Sequence, residues 1–236
     1  MPRAPDPGRQ SRPQTGTPAT PPTPATRLRS PQQARSRDTL RRIVAATRAL
    51  LQEKTFDEIS IAEITRRARS SVGAFYTRFP DKDALLDYLD ELYMADVLAA
   101  TDEFSQPSYL RGAPLAEVIA ALIEQLVRFH RERSGLLRTL IVEARRRRGG
   151  SFSERTQRMT ASVQGLLKTL LSCRDEIGHP DPQLAVTLGF VMIFSAVRET
   201  ILFPESLPEG AAVDDEVLIR ELTCGYLAYL RAEPPT

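Results

Sequence analysis

The apolar positions of the chain fall into blocks at helical spacing, separated by short breaks that carry Pro, Gly or Ser. Ile43, Ala46, Leu50 and Leu51 predict a first helix over 38–54, with Asp38 at its start to cap it or to complement its dipole. Phe56 and Ile59 pack the turn that follows. Ser60-Ile61-Ala62-Glu63 has the form of a capping box and opens a second helix through Ala68, with Ile61, Ile64 and Ala68 on its buried face. A turn at Arg69-Ser70 leads to a very short third helix, Ser71 to Phe79, whose Phe75 and Phe79 read as core. Pro80 ends it, and Asp81 caps a fourth helix reaching about Thr101.

Beyond a loop marked by Pro107 and Gly112, Leu115, Val118, Ile119, Leu122, Leu126 and Phe129 predict a helix from Pro114 to Arg133, broken by Gly135. The next helix, Leu136 to Arg147, ends in four consecutive arginines from Arg145 and then Gly149-Gly150. Cations at a helix C-terminus followed by glycine satisfy helix-end electrostatics, a reading preferred here to a second nucleic-acid patch. A long helix from Phe152 to about Ile177 stops at Gly178-His179-Pro180. The helix from Pro182 to Phe203 is apolar on every face, so it needs cover on both sides. The last helix, 214–231, carries Leu218, Leu222, Tyr226 and Tyr229 on one stripe and the small residues Cys224, Gly225 and Ala228. The chain therefore reads as all-α, and the last two helices of two copies are expected to form a four-helix dimer interface.

Charge divides the chain. Residues 1–37 hold seven arginines against one aspartate, 38–84 are nearly balanced, and the remainder carries sixteen Lys/Arg against twenty-two Asp/Glu. A basic N-terminal third and an acidic remainder suit a protein that meets a polyanion at one end. Residues 1–36 hold nine of the eighteen prolines and few large apolar side chains, so a disordered basic tail is expected there. Its arginines are either a phosphate-seeking arm, with Arg37 nearest the folded part, or a solubilising tail. A DNA-binding domain at 37–84 and a helical regulatory and dimerisation domain at 85–236 complete the division. Cys173 and Cys224 read as buried free thiols, and His130 and His179 have no ligand cluster around them, so no metal or cofactor is expected. No nucleophile–base set or Gly-rich phosphate loop is visible, which argues against an enzyme. Met1 opens onto Pro and Arg, and the longest apolar stretch, 184–197, falls short of the roughly 18 residues of a membrane span. A cytoplasmic protein is expected.

Two short helices joined by a tight turn are the sequence form of a helix-turn-helix. The series Ser71-x-Gly73-x-x-Tyr76-x-x-Phe79-x-x-Lys82, with the cap at Ser60 before it, resembles the DNA-binding domain of tetracycline-repressor (TetR) family regulators over residues 38–86. Where that family usually has Gly-Val-Ser through the turn, this chain has Arg69-Ser70-Ser71. A non-glycine residue with positive φ costs about 1–2 kcal/mol, and Ser70 in place of an apolar residue is expected to loosen the seam between the second and third helices.

The chemistry of the DNA-facing residues is legible beside the resemblance. Ser71 offers a hydroxyl and helix-start N–H groups to phosphate, as Ser60 does one helix earlier. Val72 suits a thymine methyl, and Gly73 lets the backbone approach a base edge. Tyr76 and Lys82 reach for phosphate, with Thr77 and Arg78 as further groove or backbone contacts. A packing tyrosine and a solvated lysine are the plainer alternatives. The resemblance also implies a ligand pocket in the body, for which Tyr93, Leu126, Phe129, Ile141, Phe190 and Phe194 are candidates, although the same spacing makes a plain core. Its natural occupant would be an apolar or amphipathic small molecule. The expected function is a ligand-responsive repressor that binds a palindromic DNA operator as a homodimer. A ligand-independent helical DNA-binding or protein-interaction module is the alternative.

Overall fold

The computed structural model describes residues 31–104, 112–146, 161, 163–208 and 214–232. These form helices α1 (Pro31–Leu51), α2 (Ile61–Arg67), α3 (Val72–Tyr76), α4 (Lys82–Phe104), α5 (Leu115–Glu132), α6 (Ser134–Arg146), α7 (163–171), α8 (Pro182–Leu202) and α9 (Asp215–Arg231). Short 3-10 turns occupy Arg174–Glu176 and Pro204–Ser206, and no strand occurs among the described residues. The fold is all-α, with a three-helix N-terminal unit carried at one end of a helical body.

Helix α1 begins at Pro31, seven residues before the expected Asp38, so the last part of the expected tail is helical. Proline is tolerated in a first helical turn. The early turns are also held: Thr39 Oγ1 donates to Arg35 O at 3.0 Å, and Arg78 Nη2 donates to Ser36 O at 3.0 Å. Residues 1–30 lie outside the described residues, as do Arg147, Arg148 and the expected helix start at 152.

At the capping box Ser60 Oγ accepts from Glu63 N at 3.2 Å, and the Glu63 carboxylate accepts from Lys54 Nζ at 2.7 Å. The hydrogen bond from Lys54, with a smaller contribution from the Ser60 backbone amide, holds that carboxyl below its ordinary pKa. Glu63 thereby also straps the end of α1 to α2.

Gly135 does not break the α5 helix as expected; it lies inside α6, and the break falls at Arg133 (φ −120°, ψ 13°). A Cβ on Gly135 would lie 2.1 Å from Leu51 O, so glycine is there to let α6 press onto the last turn of α1. The expected helix through Ile177 likewise ends early, at 171, before the 3-10 turn.

Ile43, Leu50, Ile59, Ile64, Phe75, Leu85 and Leu86 are buried in the N-terminal unit. In the body α5 packs against α8 and α9, burying Leu115, Ile119, Ile123 and Val127 of α5 with Ala185, Val186 and Val197 of α8 and Tyr226 and Leu230 of α9. The opposite side of α8 leaves Leu184, Leu188, Val191 and Met192 about half exposed. At 21 residues α8 is long and apolar enough, by length and composition alone, to cross a membrane, although the stretch read from sequence fell short. Its inner face is instead a core layer, and the exposed stripe is the uncovered side foreseen for it.

Candidate nucleic-acid interface and internal cavity

Each helix of the 60–76 segment starts on a serine. Ser71 Oγ accepts from Ala74 N at 3.1 Å, as Ser60 does for α2. This satisfies one of the amide groups that a helix start leaves unpaired. Between them Arg69 takes φ +50°, and it is the only non-glycine residue with positive φ among the described residues. The turn tolerates this because it is pinned: Ser70 N donates to Thr65 O at 2.9 Å, and the Arg42 guanidinium donates to Ala68 O (3.1 Å) and Arg69 O (2.7 Å). Ser70 Oγ is buried without a hydrogen-bond partner, so the seam expected to be loose carries an unsatisfied hydroxyl.

Helix α3 has five residues, too few to be stable alone. Phe75, fully buried, anchors it, with ring centroids 5.6 Å from both Tyr76 and Phe79; Phe79 in turn lies 5.7 Å from Tyr88. That anchoring turns Ser71, Val72, Gly73, Tyr76 and Thr77 outward together, with Val72 43% and Tyr76 53% exposed. Tyr76 thus packs on Phe75 and still presents its outer half. Gly73 has ordinary backbone angles, and a Cβ there would come no nearer than 3.9 Å to Ser71 Oγ. The fold itself has no need of glycine at 73, so its use is a bare stretch of surface. Thr77 Oγ1 donates to Gly73 O at 2.8 Å.

Two of the expected contact residues are engaged within the chain. Arg78 donates from Nη1 to Ala74 O (2.6 Å) and from Nη2 to Ser36 O and Oγ (both 3.0 Å), bracing α3 against α1. Lys82 Nζ donates to Phe56 O (2.7 Å) and Ile59 O (3.0 Å) and stands 4.5 Å over the Phe56 ring, so it ties α4 to the α1–α2 turn. Ser60 at the α2 cap and Arg37 on α1 are exposed, as are Arg66 on α2 and Arg69 in the turn before α3. Arg146, from the basic run, pairs with Asp57 (2.9 Å) and Glu143 (3.0 Å).

The body holds a half-open cavity of about 60 Å³ between α4, α5, α7 and α8. Tyr93, Leu126, Phe129, Phe190 and Phe194 line it as expected, but Ile141, on α6, does not and only packs against the core. Unforeseen in the lining are Val97, Ala100, Thr101, Leu122, Gln125, His130, Val163 and Leu166. Polar Gln125 and His130 on an otherwise apolar stripe of α5 were the available signal. His130 is 3% exposed, its ring sits edge-on to Phe194 at 5.4 Å, and its Nδ1 lies 2.8 Å from Leu126 O. Burial, reinforced by the charge of Arg198, pushes the imidazole below its ordinary pKa. At the junction of the two units Asp96 of α4 pairs with Arg48 of α1 (3.5 Å) and with Arg133 (3.2 Å).

Comparison with known proteins follows this division. Residues 43–89 match the family of bacterial regulatory proteins described as the tetR family. Solved structures share the fold over most of the chain. A bacterial regulatory protein in the tetR family from Rhodococcus RHA1 is 17% identical, with a TM-score of 0.60 over 81% of this chain and 96% of that one. The transcriptional regulator FadR from Bacillus subtilis, solved in complex with stearoyl-CoA, is 18% identical, with a TM-score of 0.55 over 80% and 98%. Salmonella enterica GusR is 19% identical, with a TM-score of 0.54 over 87% and 99%. No curated protein sequence matches the chain.

Proposed function

We propose that this chain, a DNA-binding transcriptional regulator of the tetR family by its N-terminal domain, is a ligand-responsive repressor that binds a palindromic operator as a homodimer. The observation that carries this reading is the outward surface of α3: Ser71, Val72, Gly73, Tyr76 and Thr77 lie exposed together while Phe75 and Phe79 are buried beneath them. Val72 meets a thymine methyl and Gly73 admits a base edge to the backbone, while the hydroxyls of Ser71 and Tyr76 hold phosphates on either side. Ser60 and Arg37 add flanking phosphate contacts. Arg78 braces α3 against α1 and Lys82 braces α4 against the α1–α2 turn, and from those positions both contact the DNA backbone.

One such helix reads only a few base pairs, so the reading requires a second copy. The half-exposed Leu184, Leu188, Val191 and Met192 of α8, beside exposed Cys224, Gly225 and Ala228 of α9, supply a self-complementary apolar face with small residues for close approach. A two-fold pair then reads half-sites about 34–36 Å apart, or a multiple of that spacing. The cavity supplies the effector site for an apolar or amphipathic molecule, and the stearoyl-CoA held in the similarly folded FadR favours the reading that a chain of this fold takes a ligand. An effector that binds one orientation of α4 better than another shifts the dimer away from its DNA-competent state. Such a regulator works in the cytoplasm.

A mobility-shift assay on the DNA upstream of the chain's own gene tests the reading. Tyr76→Phe and Val72→Ala are expected to weaken retardation about five-fold each, in line with one hydrogen bond or apolar contact, with thermal stability unchanged. Retardation insensitive to both changes sinks the assignment of α3. Sizing at micromolar concentration is expected to return a dimer, and a monomer that still bound DNA tightly would contradict the palindromic reading.

A further inference from the structure

The cavity in the body makes a specific chemical demand. None of the described lining residues carries a formal charge at neutral pH: nine are wholly apolar, and the other four, Tyr93, Thr101, Gln125 and His130, bear polar atoms. The last three each donate to a backbone carbonyl. His130 Nδ1 faces Leu126 O at 2.8 Å, and because a carbonyl only accepts, the proton must be on Nδ1. Gln125 Nε2 donates to Ala100 O at 2.9 Å, and the single hydroxyl proton of Thr101 goes to Val97 O at 2.9 Å. What His130 then offers at its other ring nitrogen, Nε2, is a lone pair, and Gln125 likewise retains its carbonyl oxygen. A neutral imidazole 3% exposed, inside an apolar cavity, is a preset hydrogen-bond acceptor.

The walls define the rest of the occupant. Tyr93 and Phe129 meet at 5.9 Å, His130 and Phe194 pack edge to face at 5.4 Å, and Phe190 stacks on Phe194 at 5.9 Å. Such a set presents both ring faces and ring edges, which another ring complements. The cavity of about 60 Å³ is smaller than the roughly 150 Å³ that accepts benzene. The half-buried Phe129 and Phe194 must therefore swing as the occupant enters.

From this arrangement we infer that the effector is a neutral, single-ring molecule bearing one hydroxyl, a phenol or a ring alcohol, that donates to His130 Nε2. A carboxylate brings no donor for that lone pair, and an acyl-CoA brings phosphates to a lining whose described residues include no cation. This inference deepens the ligand-responsive reading above and rests on it for its regulatory meaning.

Calorimetric titration of the full chain with phenol, toluene, benzoate and stearoyl-CoA tests it, since phenol and toluene differ chiefly in the donor. Phenol is expected to bind about ten-fold more tightly than toluene, with benzoate and stearoyl-CoA weaker than both. His130→Phe is expected to bring phenol and toluene to parity. If that variant does not fold, the ranking in the unchanged chain and a reduced preference in Gln125→Leu decide the matter. Equal binding of phenol and toluene overturns the inference, as does tighter binding of benzoate or stearoyl-CoA, or no binding of any of the four. Operator retardation is measured on the same preparations. Retardation without phenol binding defeats this inference alone. Absence of retardation defeats the regulator reading, whatever the cavity binds.

Discussion

Gly189 of α8 lies directly against the ring of Tyr226 of α9: a Cβ at 189 would come within 2.1 Å of Tyr226 Cε2. The ring cannot step aside, because Tyr226 is buried and its hydroxyl donates to Val186 O at 2.8 Å. Gly189→Ala is therefore expected to destabilise the chain by about 1–3 kcal/mol, the usual result of overfilling a packed site. Urea denaturation measures this. An unchanged midpoint would mean that α8 and α9 separate more easily than this contact implies.

Ser70 gives the opposite sign. Its hydroxyl is buried without a partner in the turn before α3, and an unsatisfied polar group costs about 1–3 kcal/mol. Ser70→Ala is expected to raise stability by about 1 kcal/mol and to leave DNA affinity alone, since the residue does not belong to the outward surface. A loss of stability on the same substitution would reveal a water held by that hydroxyl.

Removing the ammonium of Lys82 acts on the fold before it acts on DNA. Lys82→Met keeps much of the aliphatic stem but takes the ammonium from the Ile59 carbonyl and from the Phe56 carbonyl, which then keeps only its bond from Ile59 N. A fall in stability of about 1–3 kcal/mol is expected, read from thermal or urea unfolding without DNA. Unchanged stability would return Lys82 to the set of free cations.

The pH dependence of stability has a definite sign at His130. Its folded pKa lies below the ordinary value near 6.5, so the unfolded chain binds more protons in the window just below 6.5. The stability contributed by the neutral ring is present above pH 6.5 and is lost as pH falls from there through the folded pKa. His130→Phe is expected to flatten that part of the profile. A profile equally steep in the variant would place the responsible proton elsewhere.

The regularities that sequence exposes are local ones. Phe75 and Phe79 were legible as core, and the residue forced into positive φ was found at Arg69, because spacing and turn chemistry operate within a few residues. Five of the six proposed cavity residues do line the cavity, since the inward stripes of α4, α5 and α8 are periodic; Ile141 is on an equally periodic stripe of α6 that faces elsewhere in the core. What pattern could not reveal are the braces. Arg78 reaches back 42 residues to Ser36, and Lys82 reaches back 26 to Phe56, and both looked like cations awaiting a phosphate. Gly135 misled for the same reason: glycine breaks helices in sequence statistics, but here it answers to a carbonyl 84 residues earlier in the chain.

That last contact bears on how the two halves of the molecule feel each other. With no side chain at 135, the α6 backbone bears directly on the α1 backbone at Leu51, and side chains, which absorb small displacements by changing rotamer, are missing from the joint. Ser134 Oγ donating to Gln52 Oε1 at 2.9 Å and Arg146 pairing with Asp57 hold both ends of the same seam. The contact at Gly135 therefore sets how closely α6 approaches α1, five residues before the Phe56 carbonyl on which Lys82 hangs the start of α4.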